Sequence, residues 1–115
     1  MNEHRRADVL RAFLRGERVA VFCRTWDEAK DWLRLVAADL PESPGFRVTF
    51  SAGRLGIVPE GVRGMSQLRF YSMGSSGYRG WSCDRVFVPA DVSDEVLAAV
   101  TPMLAASRVN ALVRY

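Results

Sequence analysis

The sequence predicts an α/β fold: one small domain in which a mixed sheet, with parallel core strands plus an antiparallel meander, is flanked by about three helices. Three observations lead to this prediction. Apolar residues recur at helical spacing near both ends of the chain, short apolar runs separate those segments, and apolar and polar residues alternate in the middle. A chain of 115 residues suits a single core, so residues 1–115 are taken as one domain.

The N-terminal segment predicts a helix followed by a strand. Residues 4–15 carry apolar side chains three and four positions apart, and Gly16 is suited to end a helix there. These side chains are Val9, Leu10, Phe13 and Leu14. The apolar run at 19–23 is too short for a helix and predicts a strand that is covered on both faces.

A second helix and a meander follow. Thr25 and Glu28 have the spacing of a capping box, which predicts a helix over 26–40 that ends before Pro41. Within 46–72, three short segments alternate apolar with polar residues, as half-buried strands do. They predict a small antiparallel meander.

The C-terminal third predicts a strand, a helix and a strand. Residues 86–88 form a short apolar run, and Ser93 is suited to cap a last helix that Pro102 should interrupt. Residues 109–115 predict a final strand. Because strands that alternate with helices pair in parallel through crossover connections, part of the sheet should be parallel.

The composition predicts a cytoplasmic protein with no membrane partner. Its net charge of +3 arises from 15 Arg and one Lys against 13 acidic residues. Apolar runs of about five residues are too short to span a membrane. Arg5 and Arg6 interrupt the N-terminal region where a signal peptide would need an apolar core.

The sequence predicts no catalytic residue, no metal site and no cofactor. Residues 74–78 lack the GxSxG spacing of a serine nucleophile, and His4 is the only histidine. Cys23 and Cys83 are too few for a zinc site and should be free thiols at opposite ends of the sheet. One alternative stays open, a catalytic carboxylate pair among three acids that lie close in sequence: Asp84, Asp91 and Asp94.

Four segments follow one another in an order that is typical of one protein family. They are RVAVFC at 18–23, RLGI at 54–57, LRFYS at 68–72 and YRGWSCDRVFV at 78–88. With the helices and the final strand, they make residues 17–115 resemble the middle of the ATPase core of tailed-phage terminase large subunits, a P-loop NTPase fold. The stretch at 75–88 is the most specific, since it is similar to the family's Arg-Gly loop, spaced Asp and strand before the Walker B acids.

The chain departs from this family where ATP chemistry would occur. The P-loop and its strand have no counterpart, and Pro89 and Ala90 stand where the Walker B acids should be, with Asp91 two positions late. The resemblance therefore implies a truncated, degenerate core that neither binds nor hydrolyses ATP. It implies a phage-encoded protein in the host cytoplasm that acts by binding DNA, the packaging motor or a host protein.

Residues 44–88 carry six Arg against two acidic residues, which favours a polyanionic partner. The candidate nucleic-acid-binding residues are five arginines for phosphate contacts and two aromatic residues for stacking on bases. They are Arg54, Arg63, Arg69, Arg79 and Arg85, with Tyr78 and Trp81. The alternative is a solvated face with salt bridges. Arginines clustered on one face of the sheet would favour DNA, and scattered arginines would oppose it.

The second hypothesis is a protein-interaction module or homodimer with no nucleic-acid role. In the family that the chain resembles, the P-loop strand lies beside the strand matching 109–115. Its loss would leave Val109, Ala111 and Val113 on an unpaired edge, which either the N-terminal helix or a second copy would cover. We expect the second copy, in a two-fold dimer that Ala111→Pro should disrupt by removing a hydrogen-bond donor.

Overall fold

The computed structural model describes residues 3–41, 45–51, 54–60, 67–74, 78 and 81–115, apart from the side chain of residue 51. The helices are α1 (Glu3–Leu14), α2 (Trp26–Ala38) and α3 (Asp94–Val100), and a short 3-10 helix (Thr101–Leu104) extends α3. The strands are β1 (Arg18–Cys23), β2 (Phe46–Ser51), β3 (Arg54–Pro59), β4 (Gln67–Ser72), β5 (Arg85–Val88) and β6 (Ala111–Arg114).

These six strands form one sheet in the order β2-β3-β4-β1-β5-β6. Strand β1 lies in the interior and pairs in parallel with β4 and β5, and β6 pairs in parallel with β5. Strands β2, β3 and β4 are antiparallel neighbours. The predicted α/β fold, with parallel core strands and an antiparallel meander, is confirmed.

Helices α1 and α2 pack on one face of the sheet, which we call the α1/α2 face. Val9, Ala12 and Phe13 of α1 and the buried stripe of α2 meet strand residues such as Val19 and Phe70. Of the predicted stripe, Val9 and Phe13 are buried and Leu10 is half-buried, whereas Leu14 at the helix end is 47 % exposed; Ala12, which was not predicted, is buried.

Among the described residues, the opposite face, which we call the α3 face, is covered mainly over β1 and β5. Val100 of α3 and Met103 of the 3-10 helix pack with Phe22, Val86 and the neighbouring apolar side chains of β1 and β5. The other half of this face, over β2, β3 and β4, contains the candidate site described below.

Local hydrogen bonds explain where the helices begin and end. The Thr25 hydroxyl accepts from the Glu28 amide at 3.1 Å, and the Ser93 hydroxyl accepts from the Val96 amide at 3.3 Å. Both predicted N-caps are therefore confirmed. The regular part of α3 ends at Val100 and the chain continues as a 3-10 helix, as expected for the proline at position 102, which has no amide hydrogen to donate.

The last strand is shorter than predicted. It starts at Ala111 because Asn110 adopts a left-handed backbone conformation with φ of 42°, which extended strands do not contain. The Ser107 hydroxyl accepts from the amides of Val109 and Asn110 at 3.1 and 3.2 Å. This turn holds Val109 and Asn110 outside the strand.

The two cysteines are free and buried, as predicted. Cys23 ends β1 and packs on the α1/α2 face, whereas Cys83 precedes β5 and packs on the α3 face. The parallel pairing of β1 with β5 places them at opposite ends of these strands. None of the helices in the described parts of the chain is long and apolar enough to cross a membrane.

Candidate nucleic-acid interface

A groove of about 220 Å³ runs over β2, β3 and β4 on the α3 face. The register shows which side chains point into it. Thr49 pairs with Gly56, Gly56 with Arg69, and Arg69 with Ala20, whose side chain belongs to the α3-face core. Because alternate residues of a strand share a face, Arg47 and Arg54 lie on this same face, two positions from Thr49 and Gly56.

Three arginines therefore line one groove: Arg47 from β2, Arg54 from β3 and Arg69 from β4. The described residues that line it include no aspartate or glutamate. Across the described part of the chain, no carboxylate lies within salt-bridge distance of these three guanidinium groups. The arginines that do form ion pairs lie elsewhere: Arg5, Arg6, Arg11, Arg15, Arg24, Arg34 and Arg85.

Gly56 forms part of the groove floor. A Cβ atom at this position would lie 2.8 Å from the backbone oxygen of Leu68 and 3.9 Å from the Cα of Arg69. Real Cβ atoms do not approach a carbonyl oxygen so closely, so only glycine lets β3 and β4 come together here. The missing side chain also keeps the space beside Arg69 open.

At one end of the groove, the Arg69 guanidinium lies over the Trp81 ring, with its central carbon 4.3 Å from the ring centroid. The Nε of Arg69 donates to the side-chain oxygen of Gln67 at 3.1 Å, which fixes the orientation of the guanidinium plane. A cation over an indole face is a favourable electrostatic contact. The Arg69 guanidinium thus contacts an aromatic ring and also lines the groove.

Two polar atoms are buried near this contact. The hydroxyl of Tyr71 and the Nε1 of Trp81 have no hydrogen-bond partner among the residues that the structure describes. Burial raises the pKa of the Tyr71 hydroxyl, and the nearby Arg69 guanidinium partly offsets that effect. The phenol therefore stays protonated at neutral pH and keeps a hydrogen to donate.

Of the seven predicted interface residues, two lie away from this groove and two lie outside the described residues. Tyr78 is only 8 % exposed, with ring contacts to Phe22 and Tyr71 in the core, so its ring does not face the groove. Arg85 pairs with Val19, which places it on the α1/α2 face. Arg63 and Arg79 lie outside the described residues.

The predicted residues that the structure does bring together are Arg54, Arg69 and Trp81. Arg47 belongs with them, although the sequence analysis did not select it. The signal was the alternation in Phe46–Ser51, where Arg47 and Thr49 occupy the polar positions of a half-buried strand. Part of the predicted arginine set is thus clustered on one face, and Arg85 is separated from it.

Arg85 belongs instead to a network of ion pairs around Glu17. Its Nε lies 2.7 Å from one carboxylate oxygen of Glu17, and Arg15 lies 2.9 Å from the other. Burial by itself raises the pKa of Glu17, but the hydrogen bonds from Arg85 and Arg15 outweigh it and leave the pKa below its ordinary value. The charge of Arg85 is therefore neutralised by Glu17.

Two of the three acids in the carboxylate-pair alternative, Asp84 and Asp91, lie apart and bond to different partners. Asp84 precedes β5 and bonds to the Arg18 amide and the Ser107 hydroxyl, whereas Asp91 follows β5 and pairs with Arg24 at 2.6 Å. They lie at opposite ends of one strand, so Asp84 and Asp91 do not form the carboxylate pair; the third acid, Asp94, lies in the first turn of α3. Within the described ranges, no three His, Cys, Asp or Glu residues are grouped so that they could hold a metal ion.

Comparisons with known proteins assign nothing further to this site. No protein-family model, no curated protein and no solved structure matches the chain.

Proposed function

We propose that this protein is a non-enzymatic binding protein for nucleic acid, with Arg47, Arg54 and Arg69 as its phosphate contacts. The observation that carries the proposal is that no described carboxylate lies within salt-bridge distance of these three guanidinium groups, whereas most of the other described arginines form ion pairs. A guanidinium without a carboxylate partner keeps most of its hydrogen-bond donors for an external anion.

The spacing suits an extended anion. Strands lie about 4.8 Å apart, so Arg47 and Arg69, which are separated by β3, stand roughly 10 Å apart across the sheet. Arg54 lies on the strand between them. Three charges spread over this distance match a chain of phosphates better than a single small anion.

The resemblance to the terminase ATPase core supports a DNA-related role in a phage-infected cell and a location in the host cytoplasm. It does not support ATP hydrolysis here, because Pro89 and Ala90 follow β5 and the Asp91 carboxylate is engaged by Arg24. Calorimetry with magnesium-ATP should detect no binding in the micromolar range. A micromolar dissociation constant would contradict this part of the proposal.

The main test is fluorescence anisotropy with labelled oligonucleotides. Arg47→Ala, Arg54→Ala and Arg69→Ala combined should weaken binding roughly tenfold or more and make the slope of log K against log salt less negative by about 2. The matched control combines Arg11→Ala, Arg24→Ala and Arg34→Ala, which removes the same charge from exposed arginines outside the groove. It should retain most of the affinity.

Equal losses in the two triple variants would attribute binding to net charge alone and contradict the assigned groove. Undetectable binding of the wild type at low salt would remove the proposed function. Circular dichroism of each variant checks that the fold is retained.

A second candidate function, a homodimer, is favoured by the exposed edge of β6. Among the described strands, β6 pairs with β5 alone, and α1 packs mainly on β1 and α2. The amides of Ala111 and Tyr115 donate to Asp84 and Val88, so they face β5. Because successive residues of a strand point in opposite directions, Leu112 and Arg114 present the free edge.

The variant that should disrupt an edge-to-edge dimer is therefore Arg114→Pro and not Ala111→Pro. Ala111→Pro would break the bond to Asp84 inside the sheet, whereas Arg114→Pro removes a donor from the outer edge. If the edge mediates a dimer, light scattering should show twice the monomer mass for the wild type and for Arg114→Ala, and the monomer mass for Arg114→Pro. A monomeric wild type at micromolar concentration would exclude this candidate.

A further inference from the structure

The Arg69–Trp81 contact divides the groove into two chemically different parts. Arg47 and Arg54 are exposed cations on β2 and β3, suited to phosphates. Arg69 is half-buried, has its guanidinium carbon 4.3 Å from the centroid of the Trp81 ring, and also lines the groove. A planar cation supported by an aromatic ring is a surface on which a nucleobase stacks.

We propose that the groove binds single-stranded nucleic acid, with one unpaired base stacked at the Arg69–Trp81 pair and the neighbouring phosphates held by Arg47 and Arg54. This inference rests on the proposed function and specifies its substrate class. In a duplex, the faces of the bases are covered by their neighbours, so a stacking site at the end of a groove is of use only to a strand whose bases can turn outward.

The surroundings of Arg69 support stacking in two ways. Gln67 accepts a hydrogen bond from the Nε of Arg69, so the side chain is oriented before a ligand arrives. Little side-chain conformational entropy is therefore lost on binding. Gly56, beside Arg69 in the adjacent strand, has no side chain to fill the space where a base would lie.

Three probes separate stacking from charge: a short oligothymidine, an abasic backbone of the same length, and a duplex of the same length. The wild type should bind the oligothymidine roughly tenfold more tightly than the abasic strand, since one stacked base contributes about that factor. The duplex should also bind more weakly than the oligothymidine. Binding to the single strand should quench tryptophan fluorescence.

The variant Trp81→Leu keeps an apolar side chain but removes the ring under Arg69. It should lower affinity for the oligothymidine to the level of the abasic strand and leave the abasic strand unaffected. The matched control is Trp26→Leu, a half-buried tryptophan that packs against the α1/α2-face core. The Trp26→Leu variant should still bind the oligothymidine more tightly than the abasic strand.

The stacking inference would be overturned if the wild type bound the oligothymidine and the abasic strand equally tightly. If both affinities also fell on loss of Arg47, Arg54 and Arg69, the proposed function would remain in place. Tighter binding of the duplex than of the single strand would overturn the inference as well. Binding to none of the three probes would remove the proposed function itself. Because the abasic comparison uses the wild type, it is decisive even if Trp81→Leu fails to fold.

Discussion

Arg18 and Asp84 are joined by two reciprocal hydrogen bonds across 66 residues of sequence: the Arg18 amide donates to the Asp84 carboxylate at 2.9 Å, and the Asp84 amide donates to the Arg18 carbonyl at 2.8 Å. The other carboxylate oxygen of Asp84 accepts from the Ser107 hydroxyl at 2.7 Å. One side chain thus connects the starts of β1 and β5 with the turn before β6.

Asp84→Ala should lower the free energy of unfolding by about 2–3 kcal/mol, because it leaves the Arg18 amide and the Ser107 hydroxyl without their charged acceptor. Urea denaturation followed by circular dichroism measures this. Asp31→Ala is the control, since Asp31 is exposed and only pairs with Arg34 one helical turn away. A loss no larger than that of the control would show that Asp84 does not connect the strands energetically.

Glu17 should make the stability depend on pH in the acid range. Its pKa in the folded protein lies below the ordinary value of 4.5, so its contribution is fully present well above pH 4.5 and is lost as the pH falls through the folded pKa. We expect the stability advantage of the wild type over Glu17→Gln to be largest near neutral pH and to shrink below pH 4.5. Parallel stability curves for the two proteins between pH 7 and 3 would contradict this.

Gly56→Ala should destabilise the sheet by about 1–3 kcal/mol, because the new Cβ would lie 2.8 Å from the Leu68 carbonyl oxygen and force β3 and β4 apart. Gly74→Ala is the matched control, since a Cβ there meets no atom within 4 Å. Thermal unfolding of the two variants distinguishes them. Equal melting temperatures would mean that the sheet absorbs the extra methyl group without cost.

Cys23 and Cys83 should be inert in the folded protein. Burial raises the pKa of each thiol to about 12, so almost no thiolate exists at pH 8. A chromogenic disulfide reagent should therefore label neither cysteine in native protein and both cysteines in urea. Rapid labelling of one thiol under native conditions would locate a region that opens without global unfolding.

The sequence was informative wherever a local rule decides the structure. The hydroxyl of Thr25 and the missing amide hydrogen of Pro102 act on their own helices, so a helix start and a helix interruption were predicted at the correct residues. Alternation of apolar and polar residues likewise predicted the meander. The order of the strands was not predictable in this way, because the pairing of β4 with β1 joins segments more than 40 residues apart.

The candidate site shows the same division between local pattern and tertiary structure. Sequence by itself determined that the middle of the chain is rich in arginine and that Arg54 and Arg69 lie on strands. Only the tertiary structure decided which arginines act together. The register brings Arg47 beside them, and the parallel pairing of β5 with β1 turns Arg85 to the opposite face, where Glu17 neutralises it. The physical reason is that a side chain's face follows from strand pairing, and its availability to a ligand follows from the charges that distant segments bring to it.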